Sequence, residues 1–288
     1  MQDPNIATHL FARLDALINR LEGLLGLAQR SPDWNATAFR WVGDGGSGFL
    51  TAISHVHGIT FQDLLHVDQQ KADLARNTQQ FVNGLPANNA LLWGARGTGK
   101  SSLIKALLDE FAPNGLRLVQ VHKERLVDLP EIVEVLYDRP ERFVLFTDDL
   151  SFDANETGFR ALKAALDGSL YAVPENVLVY ATSNRRHLLP EYFSENLEVQ
   201  RVGEEIHQAE AVEEKMSLSE RFGLWLSFHP FDQDQYLDIV RHWVRALGGE
   251  PDHRVVREQA LRFALQRGSR SGRVAYQFAR DWAGRTAR

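Results

Sequence analysis

Gly94-Ala95-Arg96-Gly97-Thr98-Gly99-Lys100-Ser101 fits the pattern G-x-x-x-x-G-K-[ST] at every position, directly after an apolar run and directly before a helical one. Glycines at 94, 97 and 99 let the backbone curl until successive N–H groups face one point. With the dipole at the start of the next helix, that is chemistry for holding phosphate. Lys100 would then reach the β- and γ-phosphates of a nucleoside triphosphate and Ser101 its Mg²⁺, with Ser102 next to them in the cradle.

The other half of such a site is a carboxylate at the end of a neighbouring strand. Phe143-Val-Leu-Phe-Thr147 runs straight into Asp148 and Asp149. Asp148 fits as the Mg²⁺ partner. Asp149 stands where a water-polarising Glu is often found, one methylene shorter, which leaves its reach and the hydrolysis rate open. Two Asp after a strand are also ordinary turn and cap residues. The phosphate loop earlier in the chain favours the functional reading.

These residues need a sheet to hold them. Five apolar runs with few charges inside, Ala90–Trp93, Leu116–Val121, Phe143–Thr147, Val177–Thr182 and Leu224–Phe228, suit strands buried on both faces. Helical patterns at Ser101–Phe111, Pro130–Tyr137 and Gly158–Leu170 lie between them, so the order predicts a parallel, five-stranded, three-layer α/β/α core. From Asp232 the pattern is helical only, near Asp232–Ala246, Val255–Gln266 and Gly272–Trp282, which predicts a small helical lid. Upstream, Leu10, Leu14, Leu17, Ile18, Leu21, Leu24 and Leu25 recur at helical spacing. A stretch with Gly43, Gly45, Gly46 and Gly48 follows and reads as turns. The expected division is an arm over 1–60, helical then irregular, a nucleotide-binding core over 61–231 and a lid over 232–288.

The chain resembles the AAA+ ATPases, and more closely the bacterial domain-of-unknown-function 815 family of single-module ATPases, from about Asp68 to Ala279. Besides the loop and the paired Asp in Asp148-Asp-Leu-Ser-Phe152, the likeness rests on Asn77-Thr78…Phe81…Gly84…Pro86-Ala-Asn-Asn89, Tyr180-Ala-Thr-Ser-Asn-Arg-Arg-His187, Ser217-Leu-Ser-Glu-Arg-Phe-Gly223 and Ser271-Gly-Arg273. The resemblance implies that Asn184 is sensor 1, where an amide can hold the attacking water without adding charge. It implies that Arg221 is an arginine finger acting on an adjacent subunit, its planar donors spread over a transferring phosphoryl group. An Arg paired with Glu213, Glu214 or Glu220 is the structural alternative. Arg273 matches sensor 2 in the lid, with Arg270 competing. Asp68, Gln69 and Lys71 fall where such proteins often line the adenine pocket, and no base contact is assigned to them.

Composition bounds what remains. In 288 residues, 44% hydrophobic and 24% charged, there is a substantial core, and no apolar stretch is long enough for a membrane span. Met1 to Leu10 lacks the pattern of a signal peptide, so a cytoplasmic protein is expected. With no cysteine, disulfides, thiolate metal sites and cysteine nucleophiles are excluded. Residues 253–288 hold nine Arg against Glu258 and Asp281, while the net charge of the chain is −6. The acidic body argues against general adhesion to nucleic acid, and the basic region suits solvent or an acidic partner. His55-Val-His57 lacks an identifiable carboxylate for a metal site, and the sequons at Asn35 and Asn155 are idle inside a cell.

The resulting expectation is an oligomeric ATPase that uses ATP and Mg²⁺ to change the angle between subunits and acts on an unknown macromolecule. The alternative is a slowly hydrolysing, ATP-controlled switch or loader with a protein or DNA partner. No aromatic-glycine loop for threading a substrate is evident.

Overall fold

Short apolar runs that carry β-branched and aromatic residues among their leucines form strands, and parallel pairing follows from the helices that separate them. The computed structural model describes residues 32–43, 48–56, 58–152, 157–166, 174–185, 218–250 and 253–286. The N-terminal helix expected over residues 7–27, His57, Asn155, His187, Glu213 and Glu214 lie outside them. The strands are β1 (Ala38–Gly43), β2 (Gly48–Ala52), β3 (Ala90–Gly94), β4 (Leu116–Gln120), β5 (Arg142–Thr147), β6 (Val177–Ser183) and β7 (Leu224–Phe228). The helices are α1 (Asp68–Val82), α2 (Lys100–Phe111), α3 (Leu129–Leu136), α4 (Thr157–Leu166), α5 (Gln233–Ala246), α6 (His253–Arg267) and α7 (Gly272–Thr286).

The sheet has seven strands rather than five, in the order β2-β1-β4-β5-β6-β3-β7. All five expected strands are present and parallel. The two additions form an antiparallel hairpin whose first strand pairs in parallel with β4. In β1, Phe39 and Trp41 point inward while Arg40 is exposed, the alternation of a half-buried strand. The surrounding glycines masked that signal by suggesting turns. One of them is needed: a Cβ on Gly48 would come within 1.9 Å of the Trp41 ring. Trp41 Nε1 in turn donates to Asp128 Oδ2 over 2.9 Å, which fastens the hairpin to the turn before α3.

Side chains alternate across the sheet, and each face buries its own core. Leu178 and Tyr180 of β6 join one cluster with Leu74 of α1 and Leu107 of α2. Val179 and Ala181 join the other with Ile132 of α3 and Leu162 of α4. This is the expected three-layer arrangement. Tyr236, Val240 and Phe278 from the lid continue the first cluster, so lid and core share apolar packing. At the start of α5 the Asp232 side chain accepts from the Gln235 N–H over 2.8 Å, and Gln235 Oε1 accepts from the Asp232 N–H over 3.0 Å, a capping box. Among the described residues no helix is long and apolar enough to cross a membrane.

One polar network crosses this core. Asn77 Nδ2 donates to Tyr180 OH over 2.9 Å and to Asn88 O over 2.8 Å, while Asn77 Oδ1 accepts from the Asn88 N–H over 3.0 Å. Thr78 Oγ1 lies 2.9 Å from the same phenol oxygen, and Asn89 Oδ1 accepts from the Val179 N–H over 2.8 Å. Burial pushes the Tyr180 hydroxyl up to about 12, so it stays a neutral partner.

Candidate functional site

Parallel strands bring their C-terminal ends to one edge, where ligands of open α/β sheets bind. Here the ends of β3, β6 and β5 are neighbours. β3 runs into Gly94, whose φ of 126° is closed to other residues. A Cβ there would come 2.0 Å from Phe228 O, the atom that accepts the Ala95 N–H over 3.0 Å. The chain leaves the sheet at that point. Thr98 Oγ1 donates back to Ala95 O over 2.8 Å and closes the loop, and α2 begins at Lys100.

Lys100 is buried, and its Nζ donates to Gly94 O over 2.8 Å, Ala95 O over 2.7 Å and Asn184 Oδ1 over 3.2 Å. Burial pushes its ammonium down to about 8, against the pull of Asp148 and Asp149, while Arg273 and Arg96 add to the depression. Ser101 Oγ donates to Asp148 Oδ1 over 2.5 Å. The same carboxylate oxygen accepts from Thr182 Oγ1 over 2.6 Å. Asn184 Nδ2 donates to Asp149 Oδ1, and Asp149 itself has a φ of 54°, unusual for a residue with a side chain. Lys100, Ser101, Asp148, Asp149 and Asn184 therefore meet in one connected cluster.

A hydroxyl and a carboxylate in contact are a hard-oxygen pair, the donor set that suits Mg²⁺, which takes one or two protein ligands and completes its shell with water and phosphate. Ser101 and Asp148 fit that ion. Among the described residues, no group of three or more His, Asp or Glu gathers to form a separate metal site.

Beside the cluster opens a cleft of about 280 Å³. Gly97 to Ser102 form its floor, and the lid closes one side with Trp243, Gly272, Arg273 and Tyr276. The lid touches the loop directly. A Cβ on Gly97, whose φ is 72°, would come 2.9 Å from the Ser271 side chain, and Gly97 O faces the Arg273 N–H at 3.4 Å. Arg273 thus stands in the cleft wall, whereas Arg270 is exposed and does not line it.

A further wall, Ile59, Asp63, Leu64, Leu65 and Val67, was not identified from sequence. Asp68, Gln69 and Lys71 do not line the cleft. Lys71 braces the wall instead, its Nζ donating to Leu64 O over 2.8 Å and pairing with Asp68 at 2.7 Å. Two further contacts tie wall to lid: His66 with Asp238 at 3.1 Å, and His242 with Asp63 at 3.2 Å. Hydrogen bonds from Thr60 and His242 outweigh burial and hold the Asp63 carboxyl below its usual range.

Arg221 is not brought to this cluster. It precedes β7, whose first residue pairs with Ala90, and so lies at the end of β3 away from the loop.

A family described as "Protein of unknown function (DUF815)" matches residues 34–286. No curated protein matches the sequence. Among solved structures, a RuvB variant from Thermotoga maritima is similar, with a TM-score of 0.53 and 16% identity, over 79% of this chain and 65% of that one. A second structure of the same organism's protein, titled as the RuvB Holliday junction branch migration motor, gives a TM-score of 0.51 and 15% identity over 78% and 64%. The chain thus spans just under two thirds of the length of those proteins.

Proposed function

The chain belongs to the DUF815 family and has the AAA+ P-loop fold, and from that premise we propose that it is a Mg²⁺-dependent ATPase whose oligomer changes shape as ATP is hydrolysed and so acts on a macromolecule. The observation that carries this reading is the meeting of Lys100, Ser101 and Asp148 at the mouth of a cleft lined by the lid.

On this reading the base and sugar lie among the largely apolar wall of residues 59–67 and Trp243 and Tyr276 of the lid, and the phosphates lie over residues 94–102. Lys100 and the loop amides bind the β- and γ-phosphates, and Arg273 brings lid charge to the same place. Bound Mg²⁺, held by Ser101 and Asp148, supplies neutralisation of phosphate charge. Asp149 and Asn184 orient the attacking water, and Asp149 accepts its proton. Arg221 serves the site of an adjacent copy, which its position far from its own loop supports. Binding of a fluorescent ATP analogue and release of phosphate by purified protein test the proposal. Loss of both in Lys100→Ala is expected, and full ATPase activity in that variant overturns it.

One observation favours the slow-switch alternative. Both ends of the Asn184 amide are engaged, by Lys100 and by Asp149, so the short acidic side chain is tied to its neighbour. Steady-state turnover with and without DNA separates the readings. Brisk hydrolysis independent of DNA counts against a loader.

A further inference from the structure

Thr182 is fully buried in β6, between β5 and β3, with Leu92 of β3 as its partner in the ladder. A hydroxyl has one proton to give and lone pairs to receive. Thr182 uses both on the acidic turn: Oγ1 donates to Asp148 Oδ1 over 2.6 Å and accepts the Asp149 N–H over 2.9 Å. Its main-chain oxygen accepts the Leu150 N–H over 2.6 Å. Three successive residues of the turn thus hang on one residue of the next strand.

From this geometry we propose that Thr182 is a positioning residue for the metal site, fixing the carboxylate of Asp148 against Ser101. The inference rests on the reading of Asp148 as the Mg²⁺ ligand. The turn needs such a brace, because Asp149 sits at φ 54° and has little conformational reason to stay there. A valine would keep the branched shape that suits a buried strand, but it would neither hold the carboxylate nor satisfy the Asp149 N–H. Serine would do both. Partners that orient a ligating carboxylate commonly change metal affinity when removed, by about 10–100-fold.

The test compares Mn²⁺ affinity, read by paramagnetic resonance with a nonhydrolysable ATP analogue present, in the full chain and its variants. Thr182→Val is expected to weaken Mn²⁺ by about tenfold or more while leaving analogue binding without metal unchanged, and Thr182→Ser to restore wild-type affinity. Should the valine variant fail to fold, Thr182→Cys, with a similar size and a weak S–H donor, carries the same expectation. Asp148→Ala separates the two levels. If it leaves Mn²⁺ affinity intact, the ligand assignment is wrong. If it abolishes Mn²⁺ binding while the folded valine or cysteine variant binds as wild type does, Thr182 has no positioning role. Failure of serine to restore affinity also overturns the proposal.

Discussion

Ser101 Oγ and Asp148 Oδ1 are in hydrogen-bond contact, although they lie on different strand–helix units and 47 residues apart. The contact exists because β6 separates β3 from β5 and all three strands end at one edge. Asp148→Ala is expected to lower ATP turnover on the order of 100-fold while nucleotide still binds. Phosphate release and analogue binding, measured on the same preparation, check this.

Lys100 gives a pH dependence with a definite sign. Its ammonium is pushed down to about 8 by burial, against an ordinary value of 10.5. Phosphate favours the charged form, so binding above pH 8 takes up a proton, and affinity falls towards tenfold per pH unit. Calorimetry in two buffers of different protonation heat should detect the uptake above pH 8 and find it gone well below that pH, where Lys100 is already charged. Stability of the protein alone moves the other way. Between pH 8 and 10.5 the unfolded chain holds a proton that the folded chain has released, so this group adds stability as pH rises through that window.

The meeting of the site residues was legible because the phosphate-loop pattern sets particular residue types at fixed spacing. Lys100, Ser101 and Asp148 could be named from their order along the chain and Asn184 from the family resemblance, and the structure brings them together. The wall at Ile59–Val67 was not legible, since its apolar residues, interrupted by Thr60, Gln62, Asp63 and His66, carry no chemical motif and look like any other piece of core. Spacing left Arg270 and Arg273 in competition. Ser271 decides their geometry, because its Oγ accepts the Val274 N–H over 3.3 Å and starts α7 there, which places Arg273 beside Gly97.

The string Asn77-Thr78…Asn88-Asn89 signalled the family, yet in the structure it braces the fold. Asn77→Ala removes three hydrogen bonds and leaves buried groups at Tyr180 and Asn88 short of partners. A loss of about 2–3 kcal/mol in unfolding free energy is expected, with nucleotide affinity unchanged in the folded protein. Denaturant titration, paired with analogue binding, tests both halves.

If Arg221 acts on a neighbouring copy, Arg221→Ala and Lys100→Ala proteins should each be inactive, the first by about 10³-fold. Mixing them should recover turnover, because the lysine-deficient copy still supplies its arginine to an intact cradle. A mixture no more active than its parts would place the finger elsewhere.

The hairpin of β1 and β2 has a consequence for how the chain is cut. Without it, β4 would offer a row of unpaired N–H and C=O groups to any extended peptide nearby. A shortened version begun near residue 60 would keep the whole 94–102 loop and yet be prone to aggregation. One begun near residue 34 would retain its protective border.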